Sequence, residues 1–204
     1  MIDIPDYAII WTWIAWVVSW WLAAIWRKRA VKQRSTFVEM LHLAPTIAGA
    51  AMLFFTHAPP DDPTRQVMNP SHPLFTPIQL WQTPIALGWA CFALVVAGFL
   101  FCWWARLHLG QLWSGNITLK ADHRVVDTGP YRLVRHPIYT GMILAALATA
   151  LEKGTILGLV GVALITFGFW LKARMEERFL RAELGPEAYD AYARRTPMLA
   201  PFLF

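Results

Sequence analysis

The sequence predicts an all-α integral membrane protein with about five transmembrane helices, and two observations carry that expectation. The apolar residues come in long blocks. Tyr7–Trp26 runs for 20 residues without a charge, and Pro84–Trp104 is again uncharged. Over the 204 residues, hydrophobic types reach 57% and charged types 15%, well below the charged share of ordinary soluble domains. The second observation is the placing of lysine and arginine. Five follow the first block (Arg27, Lys28, Arg29, Lys32, Arg34), and one, Arg65, follows the second. Five follow the third (Arg106, Lys120, Arg124, Arg132, Arg135), one (Lys153) the fourth, and six the last. Under the positive-inside rule this alternation puts the N-terminus outside and the C-terminus in the cytosol, as in a multi-pass protein of a bacterial inner membrane.

The first block carries Trp11, Trp13, Trp16, Trp20, Trp21 and Trp26, too many for an interfacial belt alone. The second, Phe37–Phe55, holds Glu39 and His42 three residues apart on one helix face, and Pro45 within it. Ala58–Thr83 is a proline-rich connector. Ile138–Leu151 and Ile156–Leu171 are short for spans and predict a tight hairpin turning at Glu152-Lys153-Gly154. Gly154, Gly158 and Gly161 would let its arms approach closely. Lys172–Arg195 reads as an amphipathic helix broken at Gly185-Pro186. The chain thus divides into an N-terminal three-helix membrane region, 1–104, and a C-terminal region, 105–204.

Several classes are excluded on these patterns. The basic residues lie between hydrophobic blocks and not on one face, so their +5 net charge signals topology and no nucleic-acid partner is expected. Cys91 and Cys102 stand too far apart on one helix to pair, and no metal spacing occurs. No secretory signal peptide is expected, since Asp3 and Asp6 replace a basic start.

Between two apolar segments lies the polar passage His123–Gly141, HRVVDTGPYRLVRHPIYTG. Gly129-Pro130 makes a turn, and His136-Pro137 a second break that suits the start of a helix. That helix start would turn its free N–H groups toward Arg132, Arg135 and His136, an anion-binding arrangement. No glycine fingerprint of a soluble dinucleotide fold is present.

The run G-P-Y-R-x-V-R-H-P-x-Y-x-G (Gly129–Gly141) resembles the signature of the isoprenylcysteine carboxyl methyltransferase family. W-A-R-x-x-L-G-x-x-W-S (Trp104–Ser114) and Glu176-Glu177 followed by L-G-P-E-A-Y-D-A-Y agree with it. The resemblance implies S-adenosylmethionine as cofactor. It implies binding by Gln111, His123, Arg124, Val125, Val126, Tyr131, His136, Pro137, Ile138, Tyr139 and a carboxylate on the last long helix, Glu176 or Glu177, with Glu176 favoured. It also implies Arg135 and Arg174 as cations near the substrate, with Lys172 an alternative to Arg174 by spacing. Glu176 belongs with them as a catalytic residue. The implied acceptor is a lipophilic or lipidated acid drawn from the bilayer lipids. A phospholipid amine, or an NADPH-dependent reduction of the sterol-reductase kind, stays open beside it, and oligomeric state is not legible.

Overall fold

The computed structural model describes residues 4–23, 32–33, 40–54, 78–113, 118–119 and 125–201. Six α-helices dominate: α1 (Ile4–Ala23), α2 (Leu43–Phe54), α3 (Ile85–Leu109), α4 (Pro137–Lys153), α5 (Ile156–Leu184) and α6 (Pro186–Arg195). Short 3-10 turns cover Gly110–Leu112 and Gly129–Arg132, and Lys32–Gln33 pairs antiparallel with Thr118–Leu119. Among the described residues two helices, α3 and Ile156–Glu183 of α5, are long and apolar enough to cross a membrane. α1 covers most of the first predicted block. α2 is only twelve residues long and starts at Leu43, with Pro45 in its first turn, where a missing N–H breaks no helical bond. Glu39 and the basic residues 27–29 lie outside the described residues.

The last predicted helix needs a correction. Lys172–Leu184 is no separate element but the continuation of α5, which runs unbroken for 29 residues. Nothing between Phe169 and Glu183 is a helix breaker, so backbone propagation carries straight through the change from apolar to charged sequence. The break comes where expected, at Gly185 (φ 93°) and Pro186, and α6 begins there.

Trp13 joins two patches of core. One contains Ile9, Cys91, Val95, Phe99, Ala145 and Ala148; the other contains Leu53, Ala146, Ala150, Val162 and Ile165. The Trp13 ring stands edge-on to Phe99 at 4.8 Å and to Phe54 at 5.1 Å, and its Nε1 donates to Thr149 Oγ1 at 3.0 Å. The tryptophan load therefore divides: Trp13, Trp16 and Trp20 pack inward, while Trp11 and Trp21 stay exposed.

Close helix approach is set by glycines facing glycines, though not inside the hairpin as expected. A Cβ on Gly98 of α3 would lie 2.6 Å from the carbonyl of Gly141 on α4. One on Gly161 of α5 would lie 2.6 Å from the carbonyl of Gly49 on α2. These two crossings seat α4 on α3 and α5 on α2. The hairpin itself turns at Gly154, in the left-handed conformation (φ 62°) that closes many helices. There the segment before α3 straps it: Leu80 N donates to Gly154 O at 2.7 Å, and Ile156 N to Ile78 O at 3.1 Å. Lys153 meets Asp6 of α1 at 3.5 Å beside the same turn, both buried.

Gly161→Leu should cost about 1–3 kcal/mol by forcing α2 and α5 apart, read as a lower unfolding temperature in detergent. Ala163→Leu, on the exposed face of the same helix, should leave that temperature unchanged. Equal effects from the two would mean that the crossing is not what positions α5.

Candidate active site

The loop from Val125 to His136 reaches α4 through two turns. Gly129 takes a left-handed φ of 57°, and a Cβ there would meet the ring of His108 at 2.7 Å. His108 in turn bonds Thr128 Oγ1 through Nε2 at 2.8 Å and stacks on Tyr131. The end of α3 therefore forms the wall on which the loop is laid. Cys102 Sγ donates to Ile138 O at 3.2 Å, fixing the first turn of α4 against α3.

At that first turn four side chains converge from two helices. Glu176 and Glu177 both reach His136: Glu177 Oε1 lies 3.1 Å from Nε2, and Glu176 Oε2 lies 3.4 Å from Nδ1. Tyr139 Oη donates to Glu176 Oε1 at 2.7 Å. Its ring lies parallel to His136 at 5.3 Å and to Phe169 at 5.0 Å, giving a flat aromatic stack. Lys172 Nζ sits over the Tyr139 ring at 5.5 Å, one turn ahead of Glu176. Arg135 Nε and Nη2 hold Glu177 at 2.7 and 3.3 Å, while its Nη1 donates to the carbonyls of Ala193 and Thr196.

His136 is buried, and burial alone would push its pKa down. The two facing carboxylates outweigh that and hold it above the ordinary histidine range. With a carboxylate at each ring nitrogen, His136 is not a seat for a ligand anion.

The expected residues are distributed as follows. Arg135, His136, Pro137, Ile138, Tyr139, Glu176 and Glu177 come together. Val125 and Val126 are half-buried at the start of the loop. Tyr131 is buried, but its hydroxyl turns to the Ala105 carbonyl at 3.5 Å on α3. Arg174, the cation implied by the resemblance, is exposed and lies over Trp170 at 5.4 Å, away from the cluster, whereas Lys172, the alternative by spacing, lies beside it. Helix periodicity explains this, since residue 172 shares a face with 176 and residue 174 does not. Gln111 lies in a described turn whose side chain is not described; His123 and Arg124 lie outside the described residues.

Sequence reasoning missed the tail after α6. Arg135 N donates to Pro197 O at 2.8 Å, His136 N to Met198 O at 3.1 Å, and Thr140 Oγ1 to Leu199 O at 2.5 Å. Tyr192 of α6, buried, donates to Tyr131 O at 2.7 Å. The signal available was Tyr189 and Tyr192, two aromatics three residues apart on an otherwise polar helix.

The raised pKa of His136 sets a pH dependence. Folding favours its protonated form, so the stabilisation is complete below the unfolded value of about 6.5 and is lost as pH climbs through the higher folded value. Unfolding temperature in detergent should therefore fall as pH rises above about 6.5. His136→Gln should flatten that slope. A slope identical in the two proteins would remove His136 from the account.

Comparison with known proteins bears on this region. Residues 90–182 match the model of the isoprenylcysteine carboxyl methyltransferase family. A probable protein-S-isoprenylcysteine O-methyltransferase of Oryza sativa subsp. indica is 32% identical over 112 residues, covering 54% of this chain and 53% of that protein. Methanethiol S-methyltransferase 2 of Bradyrhizobium diazoefficiens is 45% identical over 76 residues, covering 36% of this chain and 27% of the relative. The cobalt-zinc-cadmium resistance protein CzcN of Cupriavidus metallidurans is 36% identical over 98 residues, covering 47% and 44%. This chain thus spans about half the length of the first curated relatives it matches. These matches give the reductase and phospholipid-amine readings no support. The matched stretch contains the end of α3, the whole loop and the Glu176-Glu177 pair, and over it the chain is similar to the isoprenylcysteine carboxyl methyltransferase family.

Proposed function

We propose that the chain is an S-adenosylmethionine-dependent methyltransferase of the membrane, acting on the carboxylate of a lipophilic, isoprenylcysteine-like acid. The observation that carries this reading is the cluster His136–Tyr139–Glu176–Glu177 at the start of α4, inside the family-matched region. Its donor set suits the cofactor. Glu176 is a half-buried carboxylate met by one neutral hydroxyl and a shared histidine, so it can accept an ammonium. The parallel Tyr139 and Phe169 rings offer π-faces to a sulfonium or a flat base. N–H groups at the start of α4 suit a carboxylate.

When bound, the cofactor supplies a methyl group on a positively charged sulfur. The protein's share is to align the acceptor oxygen with that methyl and to exclude water. A carboxylate is ionised at neutral pH, so no residue need remove a proton from it. Lys172, over the face of Tyr139, would orient the acid. The proposed membrane arrangement is five spans with the N-terminus outside, which puts the loop and the end of α5 together on the cytosolic side.

A second reading rests on the 45% identity to the Bradyrhizobium methanethiol S-methyltransferase 2. Here the acceptor would be a small thiol, which must first become a thiolate. Assaying purified protein with labelled cofactor against a prenylated cysteine acid and against methanethiol separates the two.

Glu176→Gln should weaken S-adenosylhomocysteine binding about ten- to a hundred-fold, the loss of one charge-assisted bond. Arg174→Ala should bind it as wild type does. Calorimetry in detergent checks both, and unchanged affinity in the Glu176 variant would move the cofactor elsewhere. For topology, reporter fusions in the 58–83 connector should report the outer side; a cytosolic signal there would overturn the five-span arrangement.

A further inference from the structure

Arg106 lies in the last turn of α3 and is 4% exposed. Its Nη2 donates to the carbonyl of Ala23 at 2.5 Å, tying the end of α1 to α3. Nε and Nη1 are buried too, and neither has a hydrogen-bond partner among the described residues. The guanidinium carbon stands 3.4 Å from the ring centroid of Trp113 and 5.3 Å from that of Trp20. Indole faces favour the positive charge, but they leave the N–H groups in the guanidinium plane without an acceptor. A buried, charged donor left so is costly unless something else meets it. An ionisable group near the end of an apolar helix is also expensive to keep there for packing alone.

Arg135 provides the contrast. Its Nε and Nη2 hold Glu177 and its Nη1 holds two carbonyls, so it is committed to the protein. An acid expected at Arg135 would have to displace Glu177. Arg106 needs no such displacement, and it stands close to the same loop. Cys102, one turn earlier on the same face of α3, bonds Ile138 at the start of α4. The carbonyl of Ala105 receives the hydroxyl of Tyr131.

We propose that Arg106, walled by Trp20 and Trp113, is an oxyanion seat for a lipophilic ligand, taking either the carboxylate of an acid or the phosphate of a lipid. A guanidinium with free N–H groups suits both. Assigning that oxyanion to the methyl acceptor rests on the function proposed above; the seat itself does not.

The test uses the full chain and its Arg106→Gln and Arg106→Lys variants. Each is measured with N-acetyl-S-farnesylcysteine and with its uncharged carboxamide in detergent. Native mass spectrometry of nanodisc protein then compares retained phosphatidylglycerol with phosphatidylcholine. Wild type should bind the acid about tenfold more tightly than the carboxamide, a charge-assisted bond's worth. Both variants should lose that gap while binding S-adenosylhomocysteine as wild type does. Lysine loses it because its compact ammonium stays with Ala23 O. If wild type shows no gap but retains phosphatidylglycerol preferentially, and the variants do not, the seat stands and its oxyanion comes from lipid. Should Arg106→Gln fail to fold, Arg106→Lys decides alone. A folded variant that keeps the gap or the lipid preference overturns the seat, as does a wild type with neither. A wild type that binds no S-adenosylhomocysteine and methylates nothing sinks the proposed function instead, and the lipid measurement still decides the seat.

Discussion

The Arg135–Glu177 ion pair joins parts of the chain that lie far apart in sequence: the loop before α4, the polar end of α5 and, through two carbonyls, the tail after α6. Each partner is mostly buried, so each depends on the other. Removing one member of such a pair leaves a buried charge uncompensated, at a cost of about 3–5 kcal/mol. The pair also explains His136. Glu177 can serve Arg135 and His136 together because the loop and α5 meet at a fixed angle, and Glu176 then closes the other side of the ring. Arg135 and His136 thus meet the two carboxylates in one place, with Lys172 beside them, which lets a charged cluster persist beneath a helical bundle.

That fixed angle is produced lower down, by side chains that are absent. The Gly98–Gly141 contact sets how far α4 slides along α3, and the Gly49–Gly161 contact does the same for α5 on α2. Trp13 fills the space between these pairs and satisfies its ring nitrogen on Thr149. The hairpin turn at Gly154, strapped by Ile78–Trp81, then holds α4 and α5 in one relation along their length. A shift at either crossing would carry the carboxylates of α5 away from His136, so packing and site chemistry are one problem here.

How much of this could be read beforehand follows from the kind of signal each feature leaves. The His136-Pro137 break, the Gly154 turn and the Gly185-Pro186 break were legible because proline and glycine act on their own backbone. The convergence of Arg135, His136, Tyr139 and the two glutamates was legible only through the family signature, since nothing in local spacing links residue 136 to residue 176. The continuity of α5 was not legible. Hydropathy changes sharply at Lys172, and a change of solvent was mistaken for a change of element, whereas helix propensity is indifferent to it. The tail's part was hidden for a different reason. It acts through the carbonyls of Ala193, Thr196, Pro197 and Met198, and backbone groups leave no trace in side-chain pattern.

The length of α5 decides where the chemistry sits. A helix rises about 1.5 Å per residue, so Glu176 lies about 30 Å along the axis from Ile156, the thickness of a bilayer's hydrocarbon core. The apolar half of α5 packs on the shorter α2 along part of that depth, and the carboxylates emerge where the helix would meet the headgroups. An ion-pair cluster much deeper would face the full cost of desolvation. One placed farther out would lose the aromatic stack that Phe169 completes with Tyr139 and His136. Under the function proposed above, a water-soluble cofactor would reach Glu176 from one side of this boundary and a lipophilic acceptor would arrive from the other. A single uninterrupted helix meets both requirements, because its register fixes the distance between the apolar and the charged segments in a way that a hinge after residue 171 would not.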